Sequence, residues 1–182
     1  MAKYFTDSKN DEYYTPAYAV EPILEFLKGG ATIWCPFDTD ESNYVKVFKK
    51  NGFKVINGHI STGQDFFKVE APICDYVISN PPYTAKHEVL KRLNKIGIPY
   101  AMLLNPISPL DSRKGFKEFQ DGDFELLYLY PRIRFIIPNT MDSREKTLPW
   151  GSTYFCRHLL PKQIICRYLT MIQDGQGTIE GF

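Results

Sequence analysis

Apolar and polar residues follow two different periods along this chain, and the change from one to the other marks out its elements. Val20, Ile23, Leu24 and Leu27 recur at helical spacing behind Thr15-Pro16. They predict a helix capped by Thr15, with Pro16 in its first turn and Gly29-Gly30 as its stop. Residues 31–35 are apolar at nearly every position, as expected of a strand covered on both faces. A polar turn over 38–42 leads to a predicted helix over 43–51 with Tyr44, Val45 and Phe48 inward, and Gly52 ends it. Strands are expected over 53–56, 75–79 and 100–104, and a helix over 86–95 carrying Val89, Leu90 and Leu93 and closed by Gly97. Asp65-Phe66-Phe67 begins a short element between the second and third strands.

This alternation of strand and helix predicts an α/β fold with a doubly wound, mostly parallel sheet. Ligands in such sheets sit outside the carboxyl ends of the strands, here Cys35-Pro36, Asn57, Asn80 and Asn105, with Asp65 nearby. Past residue 110 the pattern changes. Residues 124–130 and 134–137 look like strands, and a polar stretch covers 139–147. Residues 152–156 and 163–169 suggest a hairpin around Leu160-Pro161, forming an antiparallel C-terminal edge. The expected organisation is one domain over 1–182. Residues 13–110 form its first half and 111–173 its edge strands. The polar first dozen residues and the Gly-containing tail from Asp174 are expected to be loose.

Composition narrows the class. With 43% hydrophobic and 24% charged residues the chain fits a globular protein with a core. The formal net charge of +1 supplies no general field for a polyanion, so a nucleic-acid partner would need a local patch. One candidate is the run that holds Arg132, Arg134, Arg144, Lys146, Arg157, His158, Lys162 and Arg167; a solvated sheet edge is the alternative. Cys35, Cys74, Cys156 and Cys166 form no Cys-x-x-Cys pair, and the three histidines lie on different predicted elements, so no metal centre is expected. No stretch reads as a signal peptide or membrane span, which suggests a cytoplasmic protein with reduced thiols.

Chemistry concentrates at Asn80-Pro81-Pro82-Tyr83, delivered by the end of the 75–79 strand. Together with Tyr14-Thr15-Pro16, Pro36-Phe37 and Asp65-Phe66 in that order, it resembles the motif series of the S-adenosylmethionine-dependent amino-methyltransferases of the N6-adenine type. Pro149-Trp150-Gly151 adds a likeness to the small phage- and prophage-encoded adenine methyltransferases. The resemblance covers roughly residues 13–110. It implies a Rossmann-like methyltransferase fold and methyl transfer from S-adenosylmethionine to adenine in DNA. Asn80 and Pro81 would accept hydrogen bonds from the target amino group, Pro82 would stiffen the turn and Tyr83 would stack on the base. Tyr14, Thr15, Pro16, Cys35, Pro36, Phe37, Asp38, Asp40, Asp65 and Phe66 would line the cofactor pocket. Arg132, Arg134, Arg144, Lys146 and Trp150 would meet the nucleic acid.

Two departures from that pattern stand out. Cys35 replaces the leading acid of the first turn, and residues 35–42 contain no glycine. No acid ends the second strand, where Asn57 or His59 would have to serve the ribose. Asp38, Asp40 and Glu41 could grip the cationic part of the cofactor or close the site. The rival expectation is therefore a methyltransferase-fold protein without turnover, used by a phage or mobile element to occupy nucleic acid or block a host defence protein. RNA adenine or a side-chain amide is the third possible substrate class.

Overall fold

The computed structural model describes residues 13–137 and 145–170; expectations for 1–12, 139–144 and the tail from 174 lie outside them. Among the described residues, nine strands and four α-helices follow one another in chain order. Helix α1 (Ala17–Val20) continues as a 3-10 turn over Glu21–Phe26, because Pro22 cannot donate into a regular α-helical ladder. The single longer helix expected from the apolar stripe is thus divided. Thr15 does not cap it: Pro16 holds the N-cap position, without a side-chain bond, and Thr15 is buried and employed elsewhere.

Strand β1 (Thr32–Cys35) leads to α2 (Asn43–Lys50), whose start is capped by Ser42 accepting from the Tyr44 amide. Strands β2 (Lys54–Asn57), β3 (Tyr76–Ser79) and β4 (Tyr100–Leu104) follow, with α3 (Lys86–Ile96) between the last two. Helix α4 (Arg113–Phe119) then precedes β5 (Glu125–Tyr130), β6 (Arg134–Ile136), β7 (Glu145–Thr147), β8 (Thr153–Arg157) and β9 (Ile164–Tyr168).

Seven strands form one sheet in the order β2-β1-β3-β4-β8-β5-β9. All run parallel except β8, which is antiparallel to both β4 and β5. The mostly parallel α/β sheet expected from the sequence is present. The hairpin expected over 152–169 is not: β8 and β9 do not pair with each other. β5 lies between them, so β8 is interior and only β9 is an edge. The observed hairpin is β6 with β7, a separate two-stranded sheet whose β7 lies at the end of the polar stretch over 139–147.

Two apolar clusters cover the faces of the sheet. One joins Ile33, Tyr44, Phe48, Leu103 and Tyr154 beneath α1 and α2. The other joins Trp34, Phe66, Leu90, Met102 and Phe155 beneath α3 and α4. Residues Tyr100 through Leu104 are all buried, as a strand covered on both sides requires. No helix among the described residues is long and apolar enough to cross a membrane.

Candidate active site

Strand order places one crevice. From β1 the chain crosses to β2 on one side and then to β3 on the other, so the connections diverge between β1 and β3. At such a switch point the loops leave in opposite directions and open a space beyond the carboxyl ends of the strands. The end of β1 feeds Cys35-Pro36-Phe37-Asp38 into that space, and the end of β3 feeds Ser79-Asn80-Pro81-Pro82-Tyr83.

Asp38 and Ser79 meet there. The Ser79 hydroxyl donates to one carboxylate oxygen of Asp38 and the Ser42 hydroxyl to the other. The carboxyl is buried, and desolvation pushes its pKa up to about 6 against the pull of these two donors. The Asp38 amide donates to the Gly58 carbonyl (2.9 Å), and the Gly58 amide returns to the Cys35 carbonyl (3.1 Å), which ties the turn to the end of β2. Cys35 itself is fully buried, and burial raises its thiol pKa. Its side chain packs in the core, so its backbone is what the turn presents.

Asn80 is steered by Thr15. The Asn80 side-chain amide donates to the Thr15 hydroxyl (3.2 Å), while the Thr15 carbonyl accepts from the Asn43 amide group (2.9 Å). Thr15 in turn contacts the buried Tyr44 hydroxyl, which lies 3.1 Å from that of Tyr154. The Asn80 carbonyl oxygen Oδ1 is left buried and accepts no hydrogen bond among the described residues. A buried acceptor without a donor costs roughly 1–3 kcal/mol, so it marks a place where a donor belongs. Pro81 is buried, Pro82 and Tyr83 are half-buried, and the Tyr83 ring packs between the two core clusters.

The remaining candidates divide. Asp40 and Glu41 are exposed and engaged by Lys49 (3.2 Å) and Lys46 (2.7 Å), pointing out along α2 rather than into the crevice. Asp65 pairs with Lys68 (3.0 Å) and accepts from the Phe67 amide; burial works upward on its pKa, but these partners bring it below the usual value. Phe66 is buried beneath Phe37 (ring centroids 4.9 Å apart) and beside Trp34, with the Arg92 guanidinium 4.8 Å from its ring. Tyr14 is exposed and bridges to Ile136 of β6. Pro16 is buried at the start of α1.

Of the basic segment, Arg132, Arg134 and Lys146 are exposed. Arg132 donates to the Pro149 carbonyl (3.3 Å), Arg134 lies 3.8 Å from Glu145, and Lys146 bonds the Tyr13 hydroxyl (2.8 Å). Arg157 and Arg167 are neutralised by Asp123 and Glu25. Arg144 lies outside the described residues, and Trp150 is 43% exposed. Sequence reasoning passed over Ser42 and Ser79, the two donors on Asp38, and over Arg113, Lys114 and Lys117 on α4. Ser42 before an apolar-periodic run and Ser112 before the α4 cations were the available signals. No group of His, Cys, Asp and Glu among the described residues is arranged to hold a metal ion.

No family model and no curated protein matches this chain. Among solved structures, it is similar to a protein described as the modification subunit of a type I restriction enzyme from Vibrio vulnificus YJ016. The TM-score is 0.52 at 11% sequence identity. The match covers 93% of this chain and 49% of that one, so the chain spans about half the length of its structural neighbour. At this identity the likeness is one of fold, a methyltransferase-like α/β architecture.

Proposed function

We propose that the β1–β3 crevice binds S-adenosylmethionine and that the chain transfers its methyl group to the N6 amino group of adenine in nucleic acid. The observation that carries this reading is the buried, donor-less Oδ1 of Asn80 at the switch point, behind a turn stiffened by two prolines. An exocyclic adenine amine is a poor nucleophile because its lone pair is delocalised into the ring. Asn80 Oδ1 and the Pro81 carbonyl would accept hydrogen bonds from its two N–H groups, favour a lone pair that points at the methyl group, and stabilise the positive charge that develops on nitrogen until the surplus proton passes to solvent and the sulfonium has left as a neutral thioether. Tyr83 would bear against the face of the base.

The residues fit the cationic end of the cofactor. Among the described residues, the buried Asp38 carboxylate is compensated by two hydroxyls, so a cation arriving beside it would relieve its desolvation. When bound, the cofactor supplies an electrophilic methyl group on a sulfonium. Thr15 is a positioning residue: it holds the Asn80 amide and thereby aims Oδ1. The similarity to a restriction-enzyme modification subunit supports this reading through fold only.

A second reading is favoured by the Gly-free 35–42 turn. Ser42 and Ser79 close over Asp38, and Phe37 rests on Phe66 where an adenine ring could otherwise enter. Such a chain would bind nucleic acid, or a host defence protein, without turnover. Isothermal titration with S-adenosylmethionine separates the two. Under the enzyme reading the protein binds the cofactor at micromolar levels, Asp38→Ala weakens binding at least about tenfold, and Asn80→Ala leaves it unchanged. Absence of heat at millimolar cofactor would overturn the enzyme reading.

A further inference from the structure

Beyond β8, one face of the sheet is only partly covered by the described residues. On β5 and β9 the residues on that face are Tyr128 and Tyr130, paired in register with Cys166 and Tyr168. Their neighbours in sequence, Leu127, Leu129, Ile165 and Leu169, point the other way into the core. Tyr130 is 60% and Tyr168 79% exposed, and their rings stand edge to face at 5.4 Å. Both lie at the same strand-end rim as Asn80, because β5 and β9 run in the same direction as β3. Three strand spacings, about 14 Å, separate β3 from β5.

Helix α4 forms a wall beside this floor. Gly115 abuts His87, Glu118 accepts from Asn94 (2.6 Å), and Phe119 descends onto Phe155 (4.9 Å), so these residues fix which way the helix faces. At about 100° per residue, Phe116 falls on the flank away from α3, and it is 61% exposed. On the same count Arg113 and Lys117 are exposed on the outer side of the helix and form no ion pair among the described residues, whereas Lys114 and Glu118 fall toward α3. Asp111 is their acidic neighbour at the rim. Asp121 and Asp123 lie at the far end, where Asp123 is taken up by Arg157. Arg132 closes the rim two residues after Tyr130, and the turn at Gly151 crosses the tip of Tyr128.

We infer that this aromatic face is a docking platform for single-stranded nucleic acid, whose bases stack on Tyr130 and Tyr168 while its backbone runs along the α4 cations toward the crevice. The inference rests on the adenine reading and adds the strand state of the substrate. Flat rings standing free on a sheet can receive only bases that are not already stacked inside a duplex. The cations match phosphate, which a purely apolar partner would leave unpaired. A few nucleotides of extended strand bridge platform and crevice, so the strand needs no base flipping out of a helix.

The test is fluorescence anisotropy with an adenine-containing DNA 12-mer, an RNA 12-mer of the same sequence, and the DNA strand annealed to its complement. It is run on Asn80→Ala protein without S-adenosylmethionine, so that failure of the chemistry cannot pass for failure of binding. The single strand should bind at least about tenfold tighter than the duplex, and Tyr130→Ala or Tyr168→Ala should each weaken it about tenfold. Phenylalanine at either position should restore binding, since it keeps the ring. The tighter of the DNA and RNA arms identifies the source of the strand. Equal affinity for the duplex, or binding indifferent to both alanine variants, would overturn the inference. So would a dimer in sedimentation that the same variants dissolve, because a second copy would then occupy the face. Both side chains are exposed, so an unchanged unfolding midpoint should accompany the loss.

Discussion

Asp38 shows how little of a site can be carried by residue type alone. In the sequence it is one of three acids in a polar turn; folded, it is buried between two hydroxyls while Asp40 and Glu41 are engaged by lysines in solvent. Folding raises its pKa from the ordinary 3.8 to about 6, so the folded state holds its proton more tightly. The stability gained that way is fully present below the unfolded value and is lost as pH rises through about 6. Relative to Asp38→Asn, the wild type should therefore lose on the order of 2 kcal/mol of unfolding free energy between pH 4 and pH 7. Urea titrations at stepped pH read this directly, and parallel curves for the two proteins would refute it. Thr15 carries the same lesson. Its place before Pro16 suggests a helix cap, but its hydroxyl is spent on Asn80, a partner 65 positions away that local pattern cannot reveal.

At the scale of elements, whatever depends on continuous burial was legible. β1, β3 and β4 announce themselves as mainly apolar runs, and α2 and α3 as stripes ended by Gly52 and Gly97. The hairpin reading of 152–169 failed because adjacency in sequence was taken for pairing. The burial patterns separate the two strands: β8 is buried at every position from Thr153 to Cys156, as an interior strand must be, whereas β9 alternates as an edge does. Helix α4 was missed because only Gly115 and Phe119 of its seven residues are buried, leaving no stripe. Gly115 has a specific reason to be glycine. A Cβ there would overlap the Pro109 carbonyl oxygen, a backbone atom with no room to yield. Gly115→Ala should thus destabilise the protein by about 2 kcal/mol or more, although alanine is the better helix former by about 1 kcal/mol. An unchanged or raised urea midpoint would contradict this packing.

For the whole molecule, strand order does what no motif can: it turns two turns 42 residues apart (from Asp38 to Asn80) into the walls of one crevice. Mostly parallel topology and a strand-end rim followed from the alternation of elements. The interior position of β8, the free face of β5 and β9, and the wall formed by α4 did not, because they depend on which elements are left without a cover. The chain spans about half of its structural neighbour. In the proposed account, this face and rim contribute to recognition of the target strand. Methyl transfer to adenine governed by Asn80 can be read from its product. The protein is incubated with S-adenosylmethionine and a single-stranded adenine-containing oligonucleotide, which is then digested to nucleosides for mass spectrometry. The wild type should yield N6-methylated adenine nucleoside, and Asn80→Ala should reduce that yield at least about a hundredfold. No methylated nucleoside from the wild type, or equal yields from both proteins, would contradict it.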